Sequence, residues 1–210
     1  MLLALLIAAA TATTWQEPPQ EVLDVLHAPQ LPWVWTAPGG QHLLLADPVA
    51  YPDLTELAGP MHELAGMRVD PRVNGFHGNR GATSPRLKAV GDGAEVDLEL
   101  PAGAELLGVS WTTDGQRFAL RVELDDHIGL WVGSVDGKLK QIKDLVLNPL
   151  MGRGAYWMPD QKHLLVRRIP KRGDPPQAPA IPAGPEITEG AGAVARSTYE
   201  ARNLLETAHD

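Results

Sequence analysis

The sequence predicts an all-β protein: an incomplete β-propeller of four-stranded antiparallel blades, with a short helix in an insertion and a second helix near the end of the chain. Three observations carry that expectation. A Trp-turn-strand segment occurs three times, at Trp35-Thr36-Ala37-Pro38-Gly39-Gly40 with His42-Leu43-Leu44-Leu45, at Trp111-Thr112-Thr113-Asp114-Gly115 with Arg117-Phe118-Ala119-Leu120, and at Trp157-Met158-Pro159-Asp160-Gln161 with His163-Leu164-Leu165-Val166. In each copy an aromatic closes one apolar run, a polar reversal follows and a second apolar run begins, as in a β-hairpin. The last two tryptophans lie 46 positions apart, inside the roughly 40–50 residue period of propeller blades. Residues 105–142 supply one complete set of four strands.

Taken in order, residues 1–12 read as a signal peptide. The apolar run 2–10 is too short for a membrane-spanning helix, which needs about 20 residues, and Ala10 and Ala12 offer an A-x-A-like cleavage site. The basic residues that usually precede such a run are missing, since only Met1 stands there. The expectation is export, periplasmic or secreted, with no stable membrane span. Residues 13–30 turn polar and Pro-bearing and are expected to be an N-terminal linker. The incomplete propeller is placed at 31–210.

Its first blade is split. Strands are expected within 31–46 and within 86–100, the latter around Gly91-Asp92-Gly93, with an insertion at 47–85 between them. The gap of 76 positions from Trp35 to Trp111 exceeds one blade period by about 30 residues, which the insertion accounts for. Inside it, Asp53-Leu54-Thr55-Glu56-Leu57-Ala58 begins with a capping residue and spaces its apolar positions for a short helix that Pro60 interrupts. From Arg68 to Pro85 the Gly, Asn, Arg and Pro content predicts loop.

The blade at 105–142 is the clearest. Glu105–Trp111, Arg117–Glu123, Ile128–Ser134 and residues 138–142 read as strands, separated by Asp114-Gly115, Asp125-Asp126 and Asp136-Gly137. Leu130-Trp131-Val132 is continuously apolar, as a strand covered on both faces must be. A third blade begins at 154–168 and is broken by a Pro-rich excursion at 169–187, whose prolines deny it a place inside a sheet. Ser197-Thr198-Tyr199-Glu200 matches a capping box, and the stripe after it predicts a helix over 198–208. Two and a half blades leave open edges, so the chain is expected to be the N-terminal piece of a longer protein.

Composition excludes several functions. With 18 basic and 26 acidic residues the formal charge is −8, the wrong field for gathering phosphates, so no nucleic-acid partner is expected. There is no cysteine, hence no disulfide, thiolate ligand or cysteine nucleophile. No metal-binding or phosphate-cradling motif is present, and neither metal nor cofactor is expected. Asp125-Asp126-His127 reads as turn chemistry; His42 and His163 share one repeat position and read as strand residues; His62-Glu63 and His77 lack partners at a metal-ligand spacing. Gly108-Val109-Ser110-Trp111-Thr112 lacks the second glycine of a nucleophile elbow, and Ser110 falls inside a strand instead of a strand-to-helix turn. Trp35, Trp111 and Trp157 are expected to pack between blades. The segment left for recognition is the polar loop 68–76, whose arginines could meet a carboxylate. Arg68, Arg72, Asn74 and Arg80 are its candidate substrate-binding residues, set against the alternative that the loop pins the insertion to its own blade.

Two stretches carry a resemblance. Leu64-Ala65-Gly66-Met67-Arg68-Val69-Asp70-Pro71-Arg72-Val73-Asn74-Gly75 comes first, and Arg172-Gly173-Asp174-Pro175-Pro176 with Ala180-Ile181-Pro182-Ala183-Gly184-Pro185 comes second. Together with Val109-Ser110-Trp111-Thr112-Thr113-Asp114-Gly115 and Gly129-Leu130-Trp131-Val132, in this order, they resemble the N-terminal propeller of the glutamyl endopeptidase branch of the prolyl oligopeptidase family. The resemblance implies a two-part serine peptidase, exported or plastidic, that cleaves after glutamate. It implies a propeller over a C-terminal α/β-hydrolase domain that holds a Ser-Asp-His triad. That domain would be this chain's intramolecular partner and a peptide its substrate, with the propeller restricting access. None of the triad is expected within these residues, so the chain alone is expected to be inactive. The alternatives are a stand-alone periplasmic propeller used for binding or assembly, and a short protein that dimerises over its open edges.

Overall fold

The computed structural model of the chain describes residues 17–177 except 50, 53, 65, 172 and 175. The signal peptide at 1–12, the cap at Asp53, the helix at 198–208 and much of the Pro-rich stretch lie outside the described residues. The chain divides into two units, Met1–Gln30 and Leu31–Asp210.

In the first unit, part of the segment expected as linker is helical. Helix α1 (Gln20–Leu26) follows Pro19, whose carbonyl accepts the amides of Val22 and Leu23 at 3.0 and 3.1 Å. Gln20 Nε2 donates to Asp24 Oδ1 one turn on, at 2.7 Å. Proline at a helix start costs nothing, because its missing N–H would be unpaired there anyway.

The second unit is mostly β, as the alternation of its sequence requires. Strands β1 (Trp33–Thr36) and β2 (His42–Pro48) form a hairpin, and α2 (Leu54–Leu57) is the short helix of the insertion. Strand β3 (His62–Leu64) comes before the segment expected as loop, and that segment carries strands instead: β4 (Met67–Asp70) and β5 (Gly75–Phe76) join β3 in a three-stranded antiparallel sheet. Strand β6 (Ala82–Ala89) then returns against β2, and β7 (Glu95–Asp97) against β6. The first meander is therefore β1-β2-β6-β7, split between β2 and β6 by residues 49–81, a shorter interruption than the expected 47–85 because β2 runs on to Pro48 and β6 begins at Ala82. Pro85 lies inside β6 without breaking it, because the ladder slips there: Leu45 faces Arg86 but Asp47 faces Thr83, and Ser84 takes a left-handed φ of 51°. A proline is tolerated in a sheet at such a bulge.

The second meander is β8 (Glu105–Trp111), β9 (Arg117–Glu123), β10 (Ile128–Ser134) and β11 (Leu139–Gln141), all antiparallel neighbours. A single bridge, Ala82 to Leu106, joins it to the first. A hairpin of β12 (Ala155–Trp157) and β13 (Leu164–Val166) follows.

Strand β9 shows why the second meander sits centrally. Its alternate residues Phe118, Leu120 and Val122 face the first meander and join Leu44, Leu87, Leu106 and Trp131 in one core. Ala119 faces the other way, with Ile128 and Leu130, into a second core shared with Leu147, Ala155 and Val73 of the insertion. The sheet is thus covered on both faces, as the unbroken Leu130-Trp131-Val132 run predicts. The Trp131 and Phe118 rings find space because the residues two before and two after Trp131 are glycines. A Cβ on Gly129 would come within 2.7 Å of that ring, and one on Gly133 would overlap the Phe118 ring.

Candidate functional site

The three repeated turns share one hydrogen-bond pattern. The amides of Ala37, Thr112 and Met158 donate to the carbonyls of His42, Arg117 and His163 at 2.8–2.9 Å. Within each turn, the amide of Gly40, Gly115 or Gln161 donates back to Ala37, Thr112 or Met158, at 2.9 Å. All three donors of that second bond have φ between 56° and 70°. Gln161, a non-glycine there, is held by its own side chain, whose Nε2 donates to Met158 O at 2.9 Å. The turns also lie against one another. Gly115 lies so near the first turn that an added Cβ would come within 2.5 Å of Pro38 O, and Thr113 N donates to Gln161 Oε1 of the third turn at 2.7 Å.

This register corrects one detail of the sequence repeat. Trp111 and Trp157 immediately precede the first hydrogen-bonded residue of their turns, whereas Trp35 stands two before it. Trp35 therefore faces Leu44, while Trp111 faces Phe118 and Trp157 faces Leu164. A shift of one places a strand residue on the opposite face. All three pack against the cores, and Trp157 Nε1 donates to Ser110 O at 3.1 Å. Ser110 itself lies within β8, opposite Ala119.

The recognition loop is the turn of the β4–β5 hairpin. Asn74 adopts φ 53° and its amide donates to Asp70 O at 2.8 Å, a left-handed position that asparagine tolerates well. Val73, at the tip, is fully buried in the second core. Gly75 gives it access, because a Cβ there would come within 2.8 Å of Ile128 Cδ1. Arg72 closes the contact. Its Nη1 donates to the carbonyls of Leu124 and Asp125 at 3.1 and 2.7 Å, and its Nη2 to Glu123 Oε1 at 2.7 Å and Asp70 Oδ2 at 3.2 Å. The loop therefore fastens the insertion to the β9–β10 hairpin of the second meander and not to its own. Arg68 is exposed on β4, opposite Glu63, and Arg80 is exposed just before β6.

Charge around this fastening is uneven. Burial disfavours the Arg72 charge, but the bond to Glu123 and the fields of Asp70 and Glu123 outweigh it and raise its pKa. Glu123 is pushed up by burial more than Arg72 pulls it down, with Glu105 and Asp70 adding to the rise. Glu105, directly opposite Glu123 in the ladder, is raised by burial and by Glu56 against the amide of Gly81. At the hairpin tip His127 Nδ1 and Asp126 Oδ1 are 2.6 Å apart. Among the described residues no three His, Asp or Glu side chains gather as metal ligands would.

One feature escaped the sequence. A cleft of about 230 Å³ opens where β1, β8 and β12 meet, lined by Trp35, residues 107–110, Ala119, Arg121, Leu130, Arg153 and Ala155. The ladder of β8 and β9 slips between Leu106 and Gly108, and the Arg121 guanidinium lies over Gly108 with Nη2 donating to Leu107 O at 3.4 Å. A Cβ on Gly108 would come within 2.5 Å of that Nη2. Burial lowers the Arg121 pKa and the neighbouring Arg153 lowers it further, against a smaller pull from Tyr156.

The chain is similar to two proteins named "Probable glutamyl endopeptidase, chloroplastic". It is 31% identical to the one from Oryza sativa subsp. japonica over 92% of its own length, and 28% identical to the one from Arabidopsis thaliana over 96%. It spans 22% of the length of each of these relatives. No family model and no solved structure matches it.

Proposed function

We propose that this chain is the N-terminal portion of a serine peptidase similar to the glutamyl endopeptidases. In this reading its two meanders and following hairpin are the opening blades of a propeller that restricts substrate access to a catalytic domain outside these residues. The observation that carries it is the similarity along more than nine-tenths of the chain to two proteins named for that activity. The side-by-side stacking of three identically bonded turns supports the propeller, because repeated blades present the same loop at the same edge. Ser110, held between strands, has no exposed turn from which to act as a nucleophile.

The four candidate residues divide within this proposal. Arg72 and Asn74 hold the loop in shape and place, and contact with substrate falls to the exposed Arg68 and Arg80. Export is the proposed destination, on the strength of the N-terminal apolar run. The two relatives are named chloroplastic, and among the described residues no helix is long and apolar enough to cross a membrane. N-terminal sequencing of protein recovered from cells tests this part: a mature chain that still begins at Met1 overturns it.

The function is tested on the protein encoded by the complete reading frame, assayed with matched peptides differing only in Glu or Gln before the scissile bond. Cleavage of the Glu peptide, with a folded protein of the same sequence left intact, is the expected result. Equal cleavage of the folded protein would remove the access-restricting role, and no cleavage of either peptide would remove the peptidase reading.

A further inference from the structure

We propose that Arg121 and Arg153 form a binding site for a carboxylate in the cleft between β1, β8 and β12. The chain carries a net charge of −8, yet no Asp or Glu is among the residues lining this cleft. Arg121 differs from two other arginines of the second unit. Arg72 is satisfied by Asp70, Glu123 and two carbonyls, and Arg86 bonds Asp47 and approaches Glu95. Arg121, more buried than Arg72, has one long bond to a carbonyl and no carboxylate partner among the described residues. A guanidinium carries five donors arranged to grip a carboxylate with two parallel bonds, so most of its capacity is unspent.

The seat for it is built. The bulge in β8 and the absent side chain at Gly108 let the guanidinium lie against the strand, where any other residue would displace it. Trp35 and Leu130 give the cleft apolar walls, suited to the methylenes of a short acidic side chain, while Arg153 supplies a second positive charge at a more exposed position. Two like charges near each other and partly out of water are unfavourable by themselves, and a bound anion relieves both costs. The slip of Trp35 by one position has its consequence here, since it puts the indole on the face that lines the cleft. That the carboxylate belongs to a peptide rests on the function proposed above; the site itself does not.

The test uses the full 210-residue chain and three probes: acetyl-Gly-Glu-Gly-amide, its Gln counterpart, and sodium acetate. Isothermal titration gives affinity, and the arginine Nε–H and Gly108 amide resonances give location. The Glu peptide is expected to shift the Arg121, Arg153 and Gly108 signals saturably and the Gln peptide to leave them in place. R153Q should weaken binding about tenfold or more, the loss expected when a charge-assisted hydrogen bond is removed. R121Q should abolish it, and if that variant does not fold, R153Q at its exposed position still decides. No saturable shift with either the Glu peptide or acetate, an equal response to the Gln peptide, or unchanged affinity in R153Q overturns the site. Acetate binding without Glu-peptide binding keeps the site and removes the peptide as its ligand. A complete protein lacking peptidase activity would remove the proposed function and leave these results standing.

Discussion

Replacing Arg72 by methionine keeps its aliphatic stem and removes the guanidinium that holds the insertion to the second meander. Four hydrogen bonds go with it, two to backbone carbonyls and two to the carboxylates of Asp70 and Glu123. Hydrogen bonds to charged groups contribute about 1.5–3 kcal/mol when shielded, and exposed ion pairs about 0–1 kcal/mol. The Arg72 side chain is 44% exposed and that of Glu123 19%, so the contact lies between those limits. R72M should cost about 2 kcal/mol, of which about 1 kcal/mol is shared with Glu123. Urea unfolding of the wild type, R72M, E123Q and the double variant measures both quantities. The pH dependence gives an independent check. Because Glu123 is raised above its ordinary 4.5, the folded chain binds more protons than the unfolded one just above that value. The contribution of Glu123 is therefore fully present below 4.5 and is lost as pH rises through its folded pKa. Without Arg72 that pKa climbs further, and the loss should extend to higher pH. A coupling below about 0.3 kcal/mol with an unshifted pH profile would refute the fastening.

Other perturbations separate the causes argued above. Gly115→Ala should destabilise by more than the roughly 1–2 kcal/mol of a left-handed alanine, because its Cβ also meets Pro38 O. Gly93→Ala, at φ 74° with nothing near its Cβ, should cost only the conformational part; equal melting temperatures for the two would contradict the stacking of turns. Phe118→Ala, in the core between the meanders, should cost about 3–5 kcal/mol in the same assay. The carboxyls of Asp136, bonded by Lys138 and Ser134, and of Asp160, bonded by His163, are held at about 2. They bind fewer protons folded than unfolded, so their stabilisation is present above the ordinary 3.8 and fades toward pH 2. D160N should flatten the acid limb of the stability profile, and an unchanged limb would deny that role.

How much of this was legible in the sequence depends on what each residue answers to. Strands β8 to β10 stand where their apolar alternation and Asp-Gly turns put them, because local pattern and tertiary burial agree there. Strands β4 and β5 did not, since four and two residues flanking Pro71 and Asn74 are too few to show a period. Their pairing is secured by Val73 and Arg72 reaching another element. Proline at 85 reads as a breaker until the bulge opposite it is seen. The distinctive Arg-Val-Asn-Gly run looked like recognition chemistry; each of those residues has a mechanical task in the structure. Arg121 went the other way. In an alternating strand it reads as a solvated polar position, and only the slip at Gly108, which no residue pattern announces, turns it into a cleft.

The most direct test of the central claim is to treat the complete protein with a fluorophosphonate and map the labelled residue by mass spectrometry. The account predicts one labelled serine outside residues 1–210, with the isolated chain unlabelled under the same conditions. Labelling of Ser110 or any other serine of this chain, or a complete protein that takes up no label, would contradict it.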